Sequence, residues 1–234
     1  AQAGFYLGDL AVPIGENTWR SCVTSTHSAV AAANAVISGD RFAYSLCRPS
    51  GHHARADRAS GFCYLNNSAI AAEHLKARFE KIAIIDVDTH HGDGTQEIFY
   101  RRPDVLTVSL HGDPEKYYPF FTGYVDETGS GEGEGFNLNV PLPARTGDEA
   151  FLEALSKTLD RVARFSPDAL VIPLGYDIHR DDAIGIFDVS TGAFADIAKQ
   201  IAQLGLPSVI VQEGGYQVSV IGNCLCEFLT GINS

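Results

Sequence analysis

Three observations predict a three-layer α/β/α domain built on a mainly parallel central sheet. Short β-branched runs alternate with longer segments of helical period, several runs are apolar at almost every position, and the charged and histidine-rich clusters sit at strand ends. A strand that reads as an unbroken apolar run is one covered by helices on both faces, as in a buried parallel sheet. Ligands bind an open parallel sheet along the carboxyl edge of its strands, so clusters confined to that edge point to one site.

Taken in order, strands are expected at RFAYSL (41–46), KIAIID (81–86), DVLTVSL (104–110), FNLNVPL (136–142), ALVIPL (169–174) and SVIVQ (208–212). Asn17 is placed to cap a helix running to about Ser38 and stopping at Gly39-Asp40, and further helical patterns cover about 66–79, 147–164, 190–204 and 217–230. The stretch DETGSGEGEG (126–135) lies between two strands and reads as a flexible surface loop. No internal repeat interrupts the pattern, and residues 1–234 read as one catalytic-size domain.

Composition narrows the function. With 45% apolar residues and a net charge of -12, the chain is globular and lacks the basic stripe that a nucleic acid partner would need. Cys22, Cys47, Cys63, Cys224 and Cys226 are odd in number and lie in apolar or mixed surroundings, which reads as reduced thiols. No apolar run reaches the ~20 residues that span a bilayer and no signal peptide opens the sequence, so the expected location is cytoplasmic, with no membrane partner. Methionine is absent even at position 1, which reads as a fragment or a processed form.

The densest cluster is IIDVDTHHGDG (84–94). Desolvating an unpaired carboxylate is costly enough that such a run survives folding only if its members pair with one another or with a metal. Asp86, Asp88 and His90 alternate and would share one side of an extended chain, where Asp88 and His90 could grip a divalent ion. Asp177, after another strand, could supply a third ligand. Two carboxylates and an imidazole leave a fourth position open, the pattern of a catalytic zinc; helix caps and surface ion pairs are the ordinary alternative.

His52 and His53 follow Pro49 and Gly51 in RPSGHH, with Asp86 and Asp93 available to fix their tautomers and raise their basicity. Tyr216, in EGGY, is either a packing residue or a donor to a developing oxyanion.

RPSGHHARADRASGFCYLNN, IIDVDTHHGDGTQEIFY, VSLHGDP, GYDIHRDDAIGIFDVS and QEGGY together resemble the histone deacetylase superfamily, which has the arginase/deacetylase fold. SLHGDPEKYYPFFTGYVDETGSGEGEG and the opening GFYLGDLAVPIGENTW are most similar to the bacterial acetylpolyamine amidohydrolases. The resemblance covers essentially the whole chain. It implies zinc-dependent hydrolysis of an acetylated amine, either a small acetylpolyamine or an acetyl-lysine side chain, to free amine and acetate.

Carried over residue by residue, it implies zinc on Asp88, His90 and Asp177, with His53 as general base and His52 as its charged neighbour. Asp93 would pair with His53, Asp86 with His52, and Tyr216 would hold the amide carbonyl. A structural potassium is implied at Asp86, Ser109 and the Leu110 or His111 region. Phe62 and Tyr118 would wall the substrate channel, with Gly61, Ile184 and Gly214 also lining it. Ala11 and Asp9 stand near the position where polyamine-specific relatives carry an acid. A two-manganese ureohydrolase is disfavoured because Gly92 and His179 replace two of its ligands, and a non-catalytic binding module or inactive fragment is the remaining alternative. A segment that precedes the match in relatives is absent, so an oligomer or a shortened variant fold is expected.

Overall fold

The computed structural model describes residues 5–6 and 10–234, with only the backbone of 5–6 included. The expected strands form a sheet of β3 (Phe42–Ser45), β4 (Ile82–Asp86), β5 (Val105–Gly112), β6 (Asn137–Leu142), β7 (Ala169–Leu174) and β8 (Ser208–Gln212). Every pairing is parallel, in the order β3-β8-β7-β4-β5-β6. A short antiparallel pair, β1 (Phe5–Tyr6) and β2 (Pro13–Ile14), precedes it and has no counterpart among the expected elements.

Alternate residues of each central strand feed opposite layers. Ile82 and Ile84 of β4 pack with Ala29, Ala33 and Val36 of α1 (Thr18–Ser38) and Ala72 and Leu75 of α2 (Asn67–Leu75). Ala83, Ile85 and Val87 pack on the other side with Phe151, Leu155 and Val162 of α4 (Asp148–Phe165), Phe194 and Ile197 of α5 (Ala193–Ala202), and Phe228 of α6 (Val218–Ile232). Both faces of the central strands are therefore buried, which is why those strands are apolar at successive positions, whereas the edge strands β3 and β6 are partly exposed. Small alanines let α1 lie close to the sheet, whereas α4 presents a stripe of large residues at helical spacing.

Two helix ends follow local chemistry and one departs from the expected cap. Gly39 closes α1 with φ of 119°, and its amide and that of Asp40 donate to Val36 and Ala35 carbonyls. Asn66 caps α2 by accepting from the Ala69 amide. Asn17 occupies the N-cap position of α1, but its side chain makes no capping hydrogen bond. A short helix, α3 (Asp93–Phe99), begins inside the charged cluster and was not among the expected elements.

The 126–135 stretch is not a loose loop. Glu127 accepts from the Gly123 amide and the Gln96 side chain, and its own carbonyl accepts from Asn137 Nδ2. Ser130 N donates to the Tyr100 carbonyl, and Gly133 sits where any Cβ would stand 2.6 Å from the same oxygen. Buried polar partners thus hold a segment whose composition alone reads as mobile. No helix among the described residues is long and apolar enough to cross a membrane.

Candidate active site

The strand order reverses direction between β4 and β7, and the loops leaving these neighbours diverge to form a crevice. Asp88 and His90 follow β4; Asp177 follows β7. Their donor atoms lie within 4.8 Å of one another, with Asp88 and Asp177 at 0% exposure. His90 Nδ1 is 3.0 Å from both Asp88 Oδ1 and Asp177 Oδ2. One N–H cannot satisfy two buried carboxylates. Burial and the neighbouring Asp88 push the Asp177 carboxyl up to about 7; burial opposes charge on His90, but the two carboxylates raise it to about 9. Two buried carboxylates and an imidazole converging on one point form the donor set of a divalent-cation site.

The backbone shapes the same pocket. Gly214 N–H donates to Asp88 Oδ2 at 2.8 Å, and Thr89 N–H donates to Asp177 Oδ1 at 3.0 Å. A Cβ at Gly214 would stand 2.1 Å from Asp177 Oδ2, and one at Gly175 would stand 2.4 Å from Asp88 Oδ2. Gly214, expected to line the substrate channel, lies against the two carboxylates and also lines a cavity with Phe62 and Tyr216.

Asp86 does not share the side of Asp88 and His90 as alternation in an extended chain predicts. The strand ends at Asp86, and the next residues turn: Asp88 N–H donates to Asp86 Oδ1, and His90 N–H donates to Asp88 Oδ1. These aspartate-centred turns bring Asp88 and His90 together and leave Asp86 Oδ2 facing His52 Nδ1 at 2.9 Å.

His52 and His53 lie with ring centroids 4.1 Å apart, each backed by an aspartate. His53 Nδ1 is 2.8 Å from Asp93 Oδ1. Burial opposes a charge on both rings, yet the outcomes differ. Asp86, Asp88 and Glu213 overcome it at His52, which is held well above its ordinary value. At His53 burial is reinforced by the neighbouring His52 charge, which lowers the ring to about 4. The surroundings therefore favour a proton on His52 and disfavour one on His53.

Around this group stand aromatic residues. Gly61 and Phe62 are the central residues of a turn between Ser60 and Cys63, with φ of 51° and 64°, as a type I′ turn requires. Gly61 is needed twice, because a Cβ there would also stand 2.4 Å from His53 Cδ2. Phe62 is half-exposed with its ring 6.0 Å from that of Tyr216. Tyr118 packs edge-on to His53 at 5.1 Å, and its hydroxyl is 2.8 Å from Ser60 Oγ. Ile184 is exposed next to Tyr117, whose hydroxyl donates to its carbonyl. Burial raises the Tyr216 phenol, so it stays protonated. Asp9 lies outside the described residues; the Ala11 carbonyl accepts from Phe62 N at 3.1 Å.

Ser109 and Leu110 lie in β5, with Asp86 paired to Ser109 across the sheet. His111 Nε2 must donate to the Gly123 carbonyl, 2.9 Å away, because that oxygen can only accept. Burial holds His111 at about 4, hence neutral, so its Nδ1 accepts from Ser109 Oγ at 2.8 Å.

Two residues with clear roles in the geometry carry no assignment from the sequence. Glu213 is buried and accepts from the amides of Gly51 at 2.7 Å and His52 at 3.2 Å and from Ser68 Oγ at 3.0 Å, pinning the loop that carries both histidines. Its carboxyl, pushed by burial to about 7, also converges with His52 and a buried Cys63 whose thiol burial keeps protonated, so this second donor group reads as structural support. Tyr117 stacks on His90 at 4.8 Å and 15°. The only signal for either was proximity to a motif. His91 packs on His111, and both its buried nitrogens lack partners among the described residues.

Gly92 and His179 stand at the two positions where a ureohydrolase would carry further metal ligands. A Cβ at Gly92 would stand 2.5 Å from Asp86 Oδ2, and His179 uses Nε2 on Thr191 Oγ1 and Nδ1 on the Asp181 amide.

A parallel sheet carrying this carboxylate and histidine constellation at its switch point defines the class: the chain belongs to the histone deacetylase family, matching the histone deacetylase domain over residues 2–232. It is 53% identical over 234 residues to an acetylpolyamine amidohydrolase of Burkholderia pseudomallei (strain 1710b), covering 100% of this chain and 69% of that protein. Acetylpolyamine amidohydrolase 1 of Pseudomonas aeruginosa is 46% identical, over 98% of this chain and 67% of its own. A crystal structure of acetylpolyamine aminohydrolase from Burkholderia pseudomallei superimposes with a TM-score of 0.96 at 50% identity, over 98% of this chain and 67% of that one. The chain thus spans about two thirds of the length of these relatives.

Proposed function

We propose that this chain hydrolyses acetylated amines to the free amine and acetate, with one zinc ion held by Asp88, His90 and Asp177. The carrying observation is the convergence of two fully buried carboxylates on one imidazole nitrogen, beside two histidines each backed by an aspartate. Residues 1–234 are read as a single catalytic domain. When bound, zinc would supply acidification of a water molecule and polarisation of the amide carbonyl.

The protein groups divide the remaining work. His53, with Nδ1 committed to Asp93, accepts a proton at Nε2 from the attacking water. His52, charged and tied to Asp86, stabilises negative charge as the carbonyl carbon becomes tetrahedral, and a histidine proton goes to the departing amine. Tyr216 donates its phenol hydrogen to the carbonyl oxygen. Phe62 and Tyr118 flank the linear acetamide and keep bulk water away, with Ile184 at the rim. A structural potassium ion would be held by Ser109, Asp86 and the Leu110 main chain. The names of the relatives support a small acetylated polyamine, and the net charge of -12 favours a cationic substrate.

The test is a zinc-loaded activity panel of acetylputrescine, acetylspermidine and acetyl-lysine peptides, with Tyr216→Phe as control. Turnover of at least one acetylated amine is expected. No turnover after zinc loading, or full activity in Tyr216→Phe, would sink the mechanism.

A further inference from the structure

Tyr216 follows two glycines, and Gly215 has a φ of 144°, a conformation that leaves the direction of the chain after β8 weakly determined. A carboxylate from another loop settles it. Asp182 Oδ2 accepts the amide hydrogens of Tyr216 at 2.6 Å and Gln217 at 3.0 Å. Its Oδ1 accepts those of Ile184 and Gly185, each at 3.1 Å. One side chain thereby ties the loop leaving β8 to the loop leaving β7.

That second loop is itself fixed against the cation-site residues. A Cβ at Gly185 would stand 1.9 Å from the Asp177 carbonyl oxygen, so the backbone there packs directly on Asp177. The Ile184 carbonyl accepts from Tyr117, whose ring stacks on His90. A continuous set of contacts therefore runs from Asp177 and His90, through Asp182, to the Tyr216 backbone. The amides of Tyr216 and Gln217 stand just before α6, with Gln217 at its N-cap, so an acceptor carboxylate there is favoured by the helix dipole as well. Four accepted hydrogen bonds occupy the carboxylate, which leaves it no acceptor capacity for a cationic substrate.

We propose that Asp182 is a positioning residue: by clamping both loops it sets where Tyr216 stands relative to Asp88, His90 and Asp177, and where Ile184 stands at the rim, without touching substrate. This rests on the reading of Tyr216 as the carbonyl donor. The competing role is a plain helix cap that stabilises α6 and nothing more.

Two measurements separate these. Hydrogen exchange on the metal-free protein needs no turnover: Asp182→Ala is expected to speed exchange about tenfold or more at 184–185 and 216–217 and to leave β4 and β7 amides unchanged. Unchanged exchange at 216–217 overturns the clamp. The second is a double-mutant cycle on kcat with zinc. Asp182→Ala is expected to lower kcat about 10- to 100-fold when Tyr216 is present, but less than about threefold in the Tyr216→Phe background. Equal losses in both backgrounds overturn the positioning role. Asp182→Asn, which keeps one carbonyl acceptor, is expected to recover part of the loss and replaces the alanine variant in both measurements if that does not fold. Absence of turnover in wild type would sink the deacetylase reading, whereas the exchange result judges the clamp by itself.

Discussion

His53 Nδ1 stands 2.8 Å from Asp93 Oδ1, while the other oxygen of the same carboxylate is gripped by Arg55 through Nε at 3.1 Å and Nη2 at 2.8 Å. Because Asp93 can only accept, the His53 proton is held at Nδ1 and the lone pair is presented at Nε2. In the proposed mechanism this presents the His53 lone pair to the attacking water; His52 makes the same Nδ1 contact, to Asp86, and differs from His53 in its charged surroundings.

Asp93→Asn removes that control. An amide can offer His53 a hydrogen as readily as an acceptor, which favours the wrong tautomer. We expect kcat to fall by about 10²- to 10⁴-fold with a smaller change in KM, measured by steady-state kinetics on the best acetylated amine. Unchanged kcat would remove His53 from the role of base.

The same carboxylate ties acid stability to the site. Burial would raise the Asp93 carboxyl, but hydrogen bonds and charge from His53 and Arg55 prevail and hold it at about 2. A carboxyl depressed in the folded state stabilises above its unfolded value of about 3.9 and loses that contribution as pH falls towards 2, a difference on the order of 2 kcal/mol. Denaturation midpoints of wild type and Asp93→Asn, followed from pH 6 to 2, should therefore converge over roughly this window. Parallel curves would show that Asp93 is not the group responsible.

Tyr216→Phe keeps the ring that packs near Phe62 and deletes only the donor. Loss of one oxyanion donor is expected to lower kcat about 10²- to 10³-fold and leave thermal stability within a degree or two. A KM effect alone would make Tyr216 a wall of the channel.

Gly214→Ala tests the cation pocket. The added methyl would meet Asp177 Oδ2 at 2.1 Å and Asp88 Oδ2 at 2.6 Å, against side chains too buried to move aside. Zinc affinity, read by competition with a chromogenic chelator, should fall by at least about tenfold. Wild-type affinity would contradict assignment of the ion to these carboxylates.

Much of this was legible in the sequence because it is local. Period and β-branching located the central strands, since each strand needs only its own alternation to bury two faces. Composition misled where long-range polar contacts intervene: 126–135 is glycine-rich, yet Glu127 is anchored to Gln96 and Asn137. Alternation misled at Asp86, where the turn after β4 replaces the extended chain on which the expectation depended.

The sequence by itself determined the donors, their order along the chain and the edge of the sheet on which they emerge. Tertiary structure decided which of them meet. Only the adjacency of β4 and β7 brings Asp177 to Asp88, and only the crossing of two loops makes Asp182 a clamp and Glu213 an anchor for His52. Elements are set by interactions a few residues apart; the protonation of His52 and His53 is set by charge and burial acting through space, and that depends on how the strands are ordered.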